Sequence, residues 1–502
     1  MKYLYLTMFC WFFYSNLHAQ LSDKVWVGGY EEFPGVSGYG QFELHFQNGA
    51  LQVQQTPLAF NFESTAAVAA DPEGNLLFYS NGCEIANRNH ELMPNGFGLN
   101  PGVISDQVCP WKGYILPQGA MILPMPGDSL HYCLLHMGAA YDLGRKLRLG
   151  PLYYSVVDMS LQNGLGDVAS KNNVLLDEDL GNFTAVRHAN GRDWWVLAPE
   201  FGNAKWHIFL LSPQGFEEMP LQMQTLGEGN CEHHGQTSSS LDGSMIANWG
   251  DCKVTVSGFD RCAGILGEPL ELAAPAHWFA GGGAVFSPSG RYLYATSHNV
   301  LFRADLEEAD PQLDTMRFSY GQGAYDVPGN TFHYLVNGPD EKIYGNIPSR
   351  ARYFHALNNP DGTSIANINF VPQEVQLPVT NVRTFPHFPH FRLYDLPGSL
   401  CDTLGINAPV SISEPLEKKQ ERLILSPNPA TGHLQIVLPS EWHGIGHITL
   451  VNTSGQVLRS EKRDIRNGVL ELTLGSLPNG IYVCRVAAEN RRPLSAIFTI
   501  LR

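Results

Sequence analysis

The sequence predicts an all-β chain in two parts, and three observations carry that expectation. A turn-and-strand unit recurs through residues 23–403. Gly (50) and Pro (33) are plentiful among the 502 residues while only 16% are charged, the balance of a turn-rich β protein. After a polar linker, residues 421–502 break into short alternating strands. The predicted architecture is a seven-bladed β-propeller followed by a small Ig-like antiparallel β-sandwich. With 44% hydrophobic residues the chain can bury a core in each part.

The chain starts outside the fold. Met1-Lys2 is positive, Tyr3 to Tyr14 is a short apolar run, and Leu17-His18-Ala19 places a small residue before Gln20. That is a signal-peptide layout over residues 1–19, with cleavage expected after Ala19. The run is too short to anchor the chain in a bilayer. Cys10 does not fit an acylation site, because Phe9 precedes it and apolar residues follow. The mature chain is expected to have no transmembrane segment.

The body repeats an apolar run, a tight turn of Pro, Asp and Gly, and an aromatic strand. Ala66–Ser80 (AAVAADPEGNLLFYS), Ala120–Leu135, Phe183–Leu197, His234–Trp249, Gly283–Thr296 (GAVFSPSGRYLYAT) and Tyr334–Asn346 are six copies. Pro or Asp early in each turn presets the backbone, and Gly takes the positive-φ position. A spacing of roughly 45–55 residues with several strands per copy is that of propeller blades. Val25–Val53 supplies the seventh. A unit of this size is too small to bury a core alone, which disfavours a string of separate sandwiches.

Residues 404–420 are polar and aperiodic and read as a linker. Beyond them, His433–Leu438, His447–Val451, Val469–Leu474, Ile481–Val486 and Ala496–Leu501 alternate as strands. Charge divides the chain at the same place. Of the formal net charge of −16, residues 421–502 contribute +3 (nine Lys/Arg against six Asp/Glu) and Lys2 contributes +1. Residues 20–420 therefore carry −20. Such a body repels phosphate backbones, so no nucleic-acid partner is expected.

Without Cys10, eight cysteines remain, an even number that permits disulfides in an exported chain. Cys83 and Cys109 flank a loop-like segment and are the candidate pair. Cys252 and Cys262 flank one strand of about 26 Å and cannot pair with each other. Cys133 lies in an apolar strand and reads as a buried thiol.

Signatures of zinc proteases, serine hydrolases, nucleotide-binding loops and EF-hands are absent, and no cofactor is indicated. Four residues are ligand-face candidates: His188 and Asp193 around one turn, and the adjacent pair His233 and His234. Neighbours on a strand face opposite ways, so His233 and His234 do not share one metal. His387 and His390, in FPHFPHF, share a face of an extended segment, read first as an aromatic strap across the propeller closure. Trp111, Trp206 and Trp278 are candidates for a ligand-binding face, with core packing the competing reading.

Three segments of the last part, Ser426-Pro427-Asn428-Pro429-Ala430-Thr431-Gly432, Val451 to Val457 around Gly455, and Leu477-Pro478-Asn479-Gly480-Ile481-Tyr482-Val483, stand in order at the chain end. Together they resemble the C-terminal (type A) sorting domain of the type IX secretion system of Gram-negative bacteria. The resemblance implies a sorting motif of Pro427, Asn428, Pro429, Gly432, Gly455, Pro478, Gly480 and Tyr482, with the secretion machinery as partner. It further implies removal of the tail, attachment of the body to surface lipopolysaccharide, and a secreted or outer-membrane-surface location. The body, through Leu77–Met93, Leu152–Val168, Thr184–Trp195, Phe286–Tyr294 and Phe385–Leu404, resembles an uncharacterised YVTN/WD-like propeller family, which implies architecture and no chemistry. Two functions are expected to compete: a surface-displayed binding platform of unknown ligand, and a lactonase-like hydrolase with a metal in the central channel.

Overall fold

The computed structural model divides into two compact units, residues up to Pro409 and from Val410 onward. It describes residues 22–404 and 423–501, apart from 32–35, 48–49, 143, 145, 203, 227–233, 251–252, 274–281, 298–299, 317, 320–323, 326–331, 348–349, 439–441, 453–456, 466–467, 476 and 489–493. The 404–420 linker, apart from Leu404, lies outside the described residues.

The first unit is a ring of seven antiparallel sheets, here blades A to G. Their innermost strands are Val25–Tyr30, Thr65–Ala70, Ala120–Pro124, Thr184–Arg187, His234–Ser239, Ala284–Phe286 and Leu335–Asn337. Turn chemistry starts each blade. In blade B, Asp71 Oδ1 accepts from the amides of Glu73 (3.0 Å) and Asn75 (2.8 Å), and Gly74 takes φ 90°. In blade F, Gly290 (φ 76°) donates to Ser287 O at 2.8 Å. These are the positions where a side chain would be strained.

Each blade is buried on both faces, which explains why its strands read as apolar runs. Along Thr65–Ala70, Ala66 and Val68 pack in the A/B seam while Ala67 and Ala69 pack in the B/C seam. The pattern continues through C/D (Leu135 with Val196), D/E (Trp195 with Phe259), E/F (Trp249 with Phe286) and F/G (Tyr294 with Ile343). The ring closes at G/A, where Trp26 meets Phe46, Tyr344 and Phe385 at centroid distances of 4.9, 5.6 and 5.9 Å. Such ring pairs each add about 0.5–1.5 kcal/mol beyond area burial. Disulfides join Cys83 to Cys109 and Cys262 to Cys401, while Cys133 is a buried thiol.

The second unit is a small β-sandwich. A three-stranded sheet, with Ile424–Ser426, His433–Val437 and Val469–Thr473, faces a four-stranded one, with Val457–Ile465, Gly444–Asn452, Gly480–Ala488 and Leu494–Ile500. Leu434, Ile436, Ile448, Leu450 and Phe498 fill the space between them. Val457–Ile465 is an edge strand blunted by charge: Glu461 accepts from Arg459 and Arg463, both at 2.8 Å.

A second closure runs through the middle of the ring. After blade G the chain returns as Phe385–Pro386, pairing parallel to Thr65 and Ala66 of blade B, and continues across the axis to Phe391, which is 3% exposed and sits edge-on to Trp194 at 6.0 Å. Phe391→Ala is expected to destabilise the body by about 3–5 kcal/mol in urea unfolding, the usual cost of removing a buried Phe. A change below about 1 kcal/mol would show that the segment is an appendage.

Candidate functional site

The inner strands bring their polar side chains to one axial channel, lined by Ser64, Gln118, Thr184, Gln236 and Asn337 among others. Two of these amides, with the neighbouring Asn182, tie one blade to another around it. Gln118 donates to Thr237 O and accepts from Thr237 N, both at 3.0 Å. Gln236 donates to Leu335 O at 2.6 Å. Asn182 donates to Gly235 O at 2.6 Å and to the Tyr334 hydroxyl at 3.0 Å. A buried amide is stable only when such partners replace water.

The strap FPHFPHF (residues 385–391) occupies what remains. His387 donates its amide to Ala66 O at 3.2 Å and lays its ring on Phe183 at 5.4 Å. His390 Nε2 donates to Ser239 O at 3.1 Å. Phe388 touches the C/D, G/A and A/B seams together. The residual cavity is about 70 Å³, room for a few waters and little else. Past the channel the chain is fastened by Arg392 to Asp23 (2.9 and 3.0 Å), by the Leu396 amide to Ala189 O (2.8 Å), and by the Cys262–Cys401 disulfide.

His188 and Asp193 are brought together, in the turn after Thr184–Arg187, but neither is presented to a ligand. His188 Nδ1 accepts from the Asn190 amide at 2.9 Å, and its ring packs on Trp195. Asp193, 4% exposed, accepts from Asn190 Nδ2 (2.7 Å) and from Arg192 Nε and Nη2 (2.6 and 3.0 Å). These bonds make it a turn-holding carboxylate. His233 lies outside the described residues. His234 begins the inner strand of blade E, opposite Gly250. Trp206 is buried in the D/E seam, so it lines no open face; Trp111 is exposed, and Trp278 lies outside the described residues.

An open cavity lies at one mouth of the channel, beside blades B, C and D. It measures about 420 Å³, within the small-molecule range. Ala70, Ile122, Met125, Tyr132 and Trp194 form its walls together with Phe391 of the strap. Arg187 lines it with its guanidinium over the Trp194 ring at 4.1 Å, donating to Gly191 O at 3.0 Å. Burial brings Arg187 down to about 10. Arg187 and Trp194 face each other across one turn of blade D, close in sequence, while the other wall residues come from blades B and C and from the strap and share no spacing with them.

In the sandwich, the turn at Pro427, Asn428 and Pro429 is docked on the last strand. Asn428 accepts from Thr499 N at 2.8 Å and donates to Ile497 O at 3.3 Å, and the Ala430 amide donates to Thr499 O at 2.8 Å. Gly432 O accepts from Leu474 N at 2.9 Å. The turn from Pro478 to Gly480 is closed by Tyr482, whose hydroxyl donates to Pro478 O at 2.7 Å and whose ring stacks on Phe498 at 5.6 Å. Gly455 lies outside the described residues.

A β-propeller followed by a small sandwich with exposed proline turns is the class these two units define. Residues 425–497 match the family described as the secretion system C-terminal sorting domain, and the chain therefore carries a type IX export tail, which directs proteins to the outer-membrane surface or beyond it. No curated protein matches the chain. Among solved structures, a Lactobacillus plantarum protein is 12% identical with TM-score 0.43, covering 72% of this chain and 98% of its own. A putative 6-phosphogluconolactonase from Bacteroides fragilis is 12% identical at TM-score 0.40, covering 72% and 96%. A β-propeller domain from Myceliophteria thermophila is 10% identical at TM-score 0.36, covering 65% and 93%. At such scores the architecture rests on the sheets and seams above.

The body buries histidines in their neutral form. Desolvation pushes His136 and His333 down to about 3 and His355 to about 4; it pushes His387 to about 3, against the pull of a hydrogen bond to the Gln118 backbone, and His390 is also lowered. Between those values and the ordinary value near 6.5 the unfolded chain binds more protons than the folded one. Stability is therefore expected to be full above about pH 6.5 and to fall as pH drops, by up to about 1.4 kcal/mol per pH unit for each histidine. Urea midpoints measured from pH 7.5 to 5, above most carboxylate titration, check this; a flat profile would contradict it.

Proposed function

We propose that the chain is exported by the type IX system, loses its tail, is attached to surface lipopolysaccharide, and works there as a non-catalytic binding platform built on the propeller. The observation that carries this reading is the strap. A lactonase-like hydrolase would place its metal and substrate in the central channel, and residues 385–391 take that volume. What stays open is the mouth cavity, of small-molecule size, and the rim, where a ligand can be held outside the filled channel. The sorting-domain match of residues 425–497 supports the export half of the reading.

Deleting residues 423–502 is expected to leave the body in the periplasm, read by fractionation and by protease accessibility on intact cells. Surface delivery of the truncated chain would overturn the export reading. The wild-type surface form is expected to migrate as a heterogeneous, lipopolysaccharide-bearing species lacking the tail. The purified body is expected to turn over no member of a lactone and ester panel. Turnover abolished by a substitution lining the channel would replace the platform with the enzyme.

A further inference from the structure

The mouth cavity is walled mainly by carbon. Ile122 and Trp194 are buried in its wall, and Tyr132 and Phe391 complete it. The Trp194 indole nitrogen donates to Pro124 O at 3.2 Å, so the ring leaves an apolar surface to the cavity. Burial holds the Tyr132 hydroxyl up at about 12, which keeps it neutral and able to donate. Three charged side chains also line the space. Arg192 is matched by Asp193, at 2.6 and 3.0 Å. Asp128 is matched by the amides of Leu130 and His131 (2.8 and 3.2 Å) and by the His131 ring at 2.8 Å. The third is Arg187, 6% exposed, stacked on Trp194 and donating to Gly191 O. Behind it Arg261 donates to the Arg187 carbonyl at 2.9 Å, and Arg261 is itself answered by the carboxylates of Asp242 and Asp395. A guanidinium desolvated against an aromatic ring, in the wall of an open space of about 420 Å³, attracts an anion more strongly than the same group in water.

We infer that the mouth cavity binds a small organic carboxylate with a flat apolar body. The planar fork of Arg187 suits the carboxylate, and the walls around Ile122, Tyr132, Trp194 and Phe391 take the body. A phosphate ester brings more charge than one desolvated guanidinium answers. A sugar needs polar partners along its whole length, which walls of this kind lack. An amine meets a charge of its own sign. This ligand class rests on the reading of the body as a binding platform, whose open cavity it fills.

The test uses the exported protein and three probes that share one body: naphthylacetate, naphthylacetamide and naphthylethylamine, titrated calorimetrically at low ionic strength. One equivalent of the acid is expected to bind with a dissociation constant on the order of 10⁻⁴ M, ordinary for a ligand of this size. The amide is expected to bind about tenfold more weakly, the cost of losing a charge-assisted bond, and the amine to give no measurable heat. Arg187→Gln is expected to weaken the acid by about tenfold and to leave the amide unchanged. Met125→Trp, at a partly buried wall position, is expected to fill the cavity and block acid and amide alike. Should Arg187→Gln fail to fold, the wild-type preference for acid over amide and the Met125→Trp variant decide the matter. No binding of the acid overturns the assignment, as does equal binding of acid and amide, or undiminished acid binding by Met125→Trp. Those results leave the platform with its rim. Turnover of a lactone or ester would instead overturn the platform reading, whatever heats the acid gives.

Discussion

Both faces of every blade are apolar, and the whole body follows from that constraint. A sheet with one wet face can stop wherever the chain likes. A sheet with two dry faces needs a neighbour on each side, and seven of them satisfy one another only as a closed ring. The alternation of Ala66 and Val68 with Ala67 and Ala69 into opposite seams is this constraint at the scale of one strand. The aromatic cluster around Trp26 is the same constraint where the first blade meets the last.

Closing a ring of this size leaves an axial space whose walls are backbone-rich and polar. Here the walls are bridged by Gln118, Gln236 and Asn182, and the space is occupied by the chain's own Phe-Pro-His segment. One segment thus pairs with blade B, touches three seams through Phe388, and ends against blade D through Phe391. The sorting tail marks this body for export to the outer-membrane surface or beyond it.

Much of the architecture was legible because turns announce themselves: Asp-Pro-Glu-Gly and Ser-Pro-Ser-Gly stand where the backbone of blades B and F needs them. The sandwich strands were legible from alternation, except the short Ile424–Ser426 and the charged Val457–Ile465. Val457–Ile465 was hidden because an edge strand carries the charge of a loop, here Arg459, Glu461 and Arg463. The site was far less legible. FPHFPHF could be read as a strap, but its depth in the channel depends on contacts with blades hundreds of residues away. The Cys262–Cys401 bond spans 139 residues, and nothing local marks it. The mouth cavity draws Tyr132 from blade C, Arg187 and Trp194 from blade D and Phe391 from the strap, a convergence that only the closed ring creates.

The position of Cys401 has a mechanical consequence. A pull applied to the chain beyond this residue does not travel back along the strap, because the covalent link to Cys262 diverts it into the third strand of blade E. Load then runs across a hydrogen-bonded sheet wedged between two neighbours, while the segment inside the channel stays slack. A body tethered through its C-terminal side could be dragged by flow or by a bound partner without its central plug being drawn out.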